Sequence, residues 1–146
     1  DILTKTTRDE NNKDRLENGN YIETCGNHFI LLVEDNGNST PAVITMKATQ
    51  LKKSRKWNSM MLNIKLNGEN GLFTPPSYSH FYRLKTVKEG NDKGNWYGWE
   101  VNRESQLEDV NLYSIAKGFA DSVTKGERKV KYEEDNSTSS NDKVPF

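Results

Sequence analysis

The hydrophobic positions along this chain change period three times, and each change predicts an element. A short strand over 21–24 precedes His28-Phe29-Ile30-Leu31-Leu32-Val33, an unbroken β-rich apolar run that reads as a buried strand. The run stops at Glu34-Asp35-Asn36-Gly37-Asn38-Ser39. Its Asn-Gly pair predicts a hairpin, because both residues tolerate positive φ, and the return strand covers 42–47. From residue 48 the spacing becomes helical: Leu51, Ser54, Trp57, Met61 and Ile64 recur at three and four residues and share one face, with Thr49 as the expected N-cap. Asn67-Gly68-Glu69-Asn70-Gly71 ends that helix, and Pro75-Pro76 marks an extended connection.

Alternation then returns. Over 81–88, Tyr82, Leu84 and Thr86 lie on one face with His80, and Phe81, Arg83, Lys85 and Val87 on the other. A turn at 90–94 leads into a partner strand over 96–101, with Tyr97, Trp99 and Val101 on one side. A second helix is predicted over 107–124, with Val110, Ile115, Phe119 and Val123 apolar.

The order of elements is three strands, a helix, two strands, a helix and a tail. That predicts a mainly β, α+β chain: a five-stranded OB-like barrel with a helix between strands 3 and 4 and a C-terminal helix. Residues 1–20 are polar and rich in Asn and read as a mobile arm, 21–126 as the OB-like domain, and 127–146 as a disordered acidic tail.

Composition supports this division. Only 32% of the 146 residues are hydrophobic and 29% are charged, so one core is affordable and the ends stay outside it. No apolar run is long enough to span a membrane, and no secretory leader is present, so no membrane partner is expected. Cys25 is the single cysteine, which suits a reducing, intracellular setting. The chain begins at Asp1 rather than Met and reads as a fragment or a processed product.

Catalysis finds little support in the residues. His28 and His80, the two histidines, sit in apolar or alternating strand contexts and read as structural. Cys25 and His28 have C-x-x-H spacing without a second ligand pair, so neither a metal nor another cofactor is expected. There is no phosphate loop and no nucleophile elbow, and the chain is read as a non-enzyme.

Charge distribution points to binding instead. The whole chain has zero net charge, yet residues 42–99 carry a local excess of +7 together with all three Trp. Lys52, Lys53, Arg55 and Lys56 place four cations within five residues, with no acid three or four positions away on the same helix. A solvated helix face is the plain reading; contact with phosphates is the sharper one. On the hairpin, Tyr82, Leu84, Tyr97, Trp99 and Val101 make the better core set, which leaves Phe81, Arg83, Lys85 and Trp96 as a face where rings and cations interleave. Stacking of a base on such a ring is worth roughly 1–3 kcal/mol, and cations track the backbone.

Two resemblances sharpen the expectation. The end of the chain, with Glu133, Glu134 and Asp135 followed by a polar stretch and Val144-Pro145-Phe146, resembles the C-terminal tip of bacterial and phage single-stranded DNA-binding proteins. In that family an acidic tail ending in Phe recruits replication proteins. Here the acids lie upstream, and Lys143 stands where another acid is typical. The stretch Thr49-Gln50-Leu51-Lys52-Lys53-Ser54-Arg55-Lys56-Trp57-Asn58-Ser59, with Ser79-His80-Phe81-Tyr82-Arg83-Leu84 and residues 91–99, looks like a phage-encoded protein family that brings no binding or catalytic residues to carry over.

Together these imply a phage protein of the bacterial host's cytoplasm that binds single-stranded DNA without sequence preference in replication or recombination. Lys52, Lys53, Arg55, Lys56, Phe81, Arg83, Lys85 and Trp96 would contact DNA. Glu133, Glu134, Asp135, Val144, Pro145 and Phe146 would recruit partners, and a homo-oligomer is an open expectation. The alternative is a phage structural or assembly adaptor that uses the aromatic hairpin as a protein interface.

Overall fold

The computed structural model describes residues 1–131. Residues 1–20, expected to be a mobile arm, join the start of the strand expected over 21–24: a 3-10 turn at Ile2–Lys5 leads into a three-stranded antiparallel meander of β1 (Thr6–Arg8), β2 (Asp14–Leu16) and β3 (Tyr21–Ile22). Apolar periodicity could not reveal it, because its strands are two or three residues long and none of its residues is buried. Short-range polar contacts hold it instead: Asp9 accepts from the Asn11 and Lys13 backbone N–H groups, both at 2.9 Å, and pairs with Arg15 at 2.5 Å.

The first long hairpin pairs β4 (Cys25–Val33) with β5 (Ser39–Lys47), in register from Cys25 opposite Lys47 to Val33 opposite Ser39. Its turn uses the predicted glycine, but only Gly37 takes positive φ, at 84°. Gly37 N–H donates to the Glu34 carbonyl and Glu34 N–H to the Asn38 carbonyl, each at 2.9 Å, which makes a three-residue loop rather than a two-residue Asn-Gly turn.

A 3-10 turn at Ala48–Gln50 leads into α1 (Leu51–Leu62). Thr49 does not cap this helix. Gln50 is its N-cap residue, without a side-chain cap bond, because its amide is engaged elsewhere: Trp99 N–H donates to Gln50 Oε1 at 2.8 Å, and Gln50 Nε2 donates to Glu89 at 2.9 Å. The helix face read from the sequence is the packed one, with Ser54 and Trp57 buried; Ile64 is buried just beyond the helix end.

Gly26 lets α1 come close to β4, since a Cβ there would lie 2.1 Å from Ser54 Oγ. His28 Nε2 lies 2.8 Å from the Ser54 hydroxyl. The Trp57 ring stacks on His28, with centroids 4.4 Å apart and planes at 17°, and tilts against Tyr82 at 5.8 Å. Trp57 thus joins one hairpin to the other. Among the described residues Met46, Trp57, Ile64, Leu112 and Ala116 form the buried apolar core, a small one, with Met46 alone fully buried.

After a short hairpin of β6 (Leu66–Gly68) and β7 (Gly71–Phe73), the second long hairpin pairs β8 (His80–Asn91) with β9 (Gly94–Gln106), with a register shift between His80 and Tyr82. Both strands run further than the alternation predicted. Helix α2 (Val110–Thr124) follows, with Asp109 accepting from the Leu112 N–H at 2.8 Å as an N-cap. It packs beside the 3-10 turn at Ser77–Ser79, where the Tyr78 and Tyr113 rings meet edge-on at 5.6 Å.

The class is therefore α+β, mostly strands with two helices, as expected. The barrel is not closed. Among the described residues the strands form four separate sheets, and β4 and β8 each pair on one side only. Between them lies an open cleft rather than the ladder that would close an OB-like barrel.

Candidate nucleic-acid interface

The four cations of α1 divide into two groups. Lys52, Arg55 and Lys56 stand at i, i+3 and i+4, so they are neighbours on one exposed strip, and they make no ion pair with the described residues. Like charges at this spacing destabilise a helix by roughly 0.2–0.5 kcal/mol per pair, and no acid on α1 relieves them. Lys53, one position round the helix, points to the second hairpin and binds Glu89 at 2.5 Å.

Glu89 is a hub. Besides Lys53 it accepts from Gln50 and, at 3.1 Å, from the Trp96 indole N–H. The Lys53 contact, followed by that of Gln50, holds the Glu89 carboxyl down at a pKa of about 2 despite the opposing effect of burial. This carboxylate fixes α1 to the hairpin and positions the half-buried Trp96 ring.

On the same hairpin face, Arg83 pairs with Glu104 at 2.7 Å and Lys85 with Glu100 at 2.8 Å. Both cations are largely exposed, and pairs of this kind contribute only about 0–1 kcal/mol, so their charge is balanced but easily exchanged. Phe81, half-buried, faces the cleft. The structure therefore places Phe81, Arg83, Lys85 and Trp96 on one hairpin, with a carboxylate beside each cation and beside the indole.

The opposite hairpin face holds a surprise. Tyr97, expected in the core, is 73% exposed and lies directly across from the exposed Lys88. Tyr82, Leu84, Trp99 and Val101 from the same expected core set are indeed at least half-buried. Alternation fixed which residues share a face; it could not tell that α1 and Gln50 would hold Glu89 and the Trp99 N–H while Tyr97, on the face opposite Glu89, stays bare.

The cleft, about 1020 Å³, lies between β4, β8 and α2 with Trp57 among its lining residues. Its walls include Ile30, Phe81, Trp99 and Phe119, and acids at Glu34, Asp35 and Glu104 outnumber Arg83 there. Such a lining suits apolar groups and disfavours a polyanion. Burial lowers the His28 and His80 pKa values and raises that of Tyr82, whose hydroxyl is buried without a partner among the described residues. No group of three or more His, Cys, Asp or Glu among the described residues is arranged to hold a metal ion. No helix among them is long and apolar enough to cross a membrane. The tail residues Glu133, Glu134, Asp135, Val144, Pro145 and Phe146 lie outside the described residues.

The described residues thus form an open α+β chain with two long hairpins and a basic strip on its first helix. Comparison gives its family: residues 2–129 match the family described as Pam3 phage gp34-like protein, and the chain belongs to that phage protein family. Neither a curated protein nor a solved structure matches the chain.

Proposed function

We propose that this phage protein binds single-stranded DNA without sequence preference, in replication or recombination within the host cytoplasm. The observation that carries the reading is the Lys52/Arg55/Lys56 strip, three exposed cations with no counter-charge among the described residues. Phosphates docking there would remove a repulsion the helix otherwise bears. From that strip DNA passes to the long hairpin. Arg83 and Lys85 can trade their surface carboxylates for phosphates at little cost, and Tyr97 with Lys88, or Phe81 and Trp96, offer rings for base stacking.

The hairpin–helix–hairpin–helix order is consistent with an OB-like ancestry whose barrel stays open. The acidic residues Glu133, Glu134 and Asp135 would compete with DNA for the α1 strip, and DNA would release Phe146 to partner proteins. The protein acts in this reading by binding, not by making or breaking bonds.

The test is a titration of a labelled oligo-dT strand followed by anisotropy, at low and moderate salt, with the intact chain and one ending at Thr124. Salt-sensitive binding that tightens on truncation supports the site and the tail's competition; unchanged binding keeps the site and removes the competition. Absence of binding by both refutes the proposal. The structural or assembly adaptor reading then takes its place, favoured by one specific observation: the large apolar cleft the fold leaves open.

A further inference from the structure

The accessible surface of the chain is 12025 Å², against about 7,600 Å² for a compact monomer of its mass. Residues 132–146, counted at the extended-chain rate, contribute at most about 2,500 Å², so an excess on the order of 2,000 Å² stays with the folded part. That is more than the about 800 Å² that each partner buries in a standard stable interface. The excess has an address. The cleft presents the unpaired edges of β4 and β8, nine and twelve residues long, and proteins rarely leave such edges uncovered.

We infer that a second copy of this chain fills the cleft, with the Ile2–Lys5 turn of its N-terminal meander as the inserted element. Ile2 and Leu3 are about half exposed, at 52% and 46%, on a unit with no buried residue of its own. A meander this short is marginal by itself and gains by docking on a larger apolar surface. Charge agrees with the direction of docking. Lys5, in the same turn, is exposed and unpaired among the described residues, whereas Glu34 and Asp35 stand at the cleft's mouth. Ile2 and Leu3 supply apolar groups that match the apolar walls, and Lys5 meets the acids. This assembly does not rest on the nucleic-acid reading, though the two share Phe81 and Arg83, which line the cleft.

The test combines light-scattering mass after gel filtration with emission of an apolar dye, anilinonaphthalene sulfonate. It uses the intact chain, Ile2→Asp/Leu3→Asp, Glu34→Lys/Asp35→Lys, and the latter with Lys5→Glu added. None of these positions is in the core, and circular dichroism checks that each variant folds. Expected are a dimer or larger species for the intact chain at concentrations on the order of 10 µM, and a 16.7 kDa monomer with several-fold higher dye emission for the two double variants. Adding Lys5→Glu to the charge reversal restores the oligomer. An intact chain that stays monomeric overturns the inference, and so does an oligomer indifferent to Ile2→Asp/Leu3→Asp. Dye emission that rises only when the chain is cut after Lys131 also overturns it, by giving the cleft to the chain's own tail.

Discussion

Replacing Trp57 by alanine tests whether one side chain joins the two halves of the fold. Trp57 is 5% exposed, stacked on His28 of β4 and tilted against Tyr82 of β8. A tryptophan buries on the order of 200 Å², which at about 25 cal/mol per Å² is at most about 5 kcal/mol. Alanine recovers part of this, the void adds a cost, and measured Trp→Ala losses run about 3–5 kcal/mol. Domains of this size are stable by only about 5–15 kcal/mol, and a core of five buried apolar residues among the described residues argues for the lower end. Trp57→Ala should therefore lose about 3–5 kcal/mol, leaving little folded structure at moderate urea. Trp57→Phe should lose clearly less than Trp57→Ala, because a ring over His28 survives and the deleted indole N–H has no partner among the described residues. Urea unfolding followed by far-UV circular dichroism measures both. A Trp57→Ala loss below about 1 kcal/mol with an unchanged m-value would refute the role of Trp57 as the bridge.

Two further changes probe how α1 is seated. Gly26→Ala forces a Cβ to within 2.1 Å of Ser54 Oγ and 2.9 Å of Ser54 Cβ, so it should destabilise by about 1–3 kcal/mol in urea unfolding, with partial recovery in Gly26→Ala/Ser54→Gly. Glu89→Gln acts through pH. The folded Glu89 pKa lies below its unfolded value of 4.5, so its contribution is complete above 4.5 and is lost as pH falls toward about 2. The variant should lose stability at pH 7 and show a shallower loss between pH 4.5 and 2 than the parent, measured by urea midpoints across that range. A parallel profile would remove Glu89 from the account. His28, whose pKa is lowered by burial, makes the parent lose stability as pH drops below 6.5 as well.

Much of the framework was legible in the sequence for identifiable reasons. The β4–β5 hairpin showed because its strands carry an apolar run bounded by Asn36-Gly37, and α1 because Leu51, Ser54 and Trp57 fall on one face. The meander before β4 did not show, since polar contacts around Asp9 hold it, and these leave no hydrophobic period. Nor did the open barrel: whether β4 and β8 pair or stand apart is a long-range choice that neither strand's own residues encode. For the candidate site, the α1 cations were visible as a cluster, but not that Lys53 would be claimed by Glu89, thirty-six positions on. On the second hairpin the two-residue period sorted the faces correctly and left undecided how much of each would be covered. Tyr97 and Lys88 were missed for that reason.

The central claim is that Lys52, Arg55 and Lys56 meet phosphates, and the salt dependence of oligo-dT binding tests it most directly. Each phosphate neutralised on a single strand adds about 0.7 to the slope of log affinity against log salt. Lys52→Gln/Arg55→Gln/Lys56→Gln should therefore weaken binding and flatten that slope by about 2, with circular dichroism unchanged because all three side chains are exposed. An affinity and slope equal to those of the parent chain would contradict the account and move the interface away from α1.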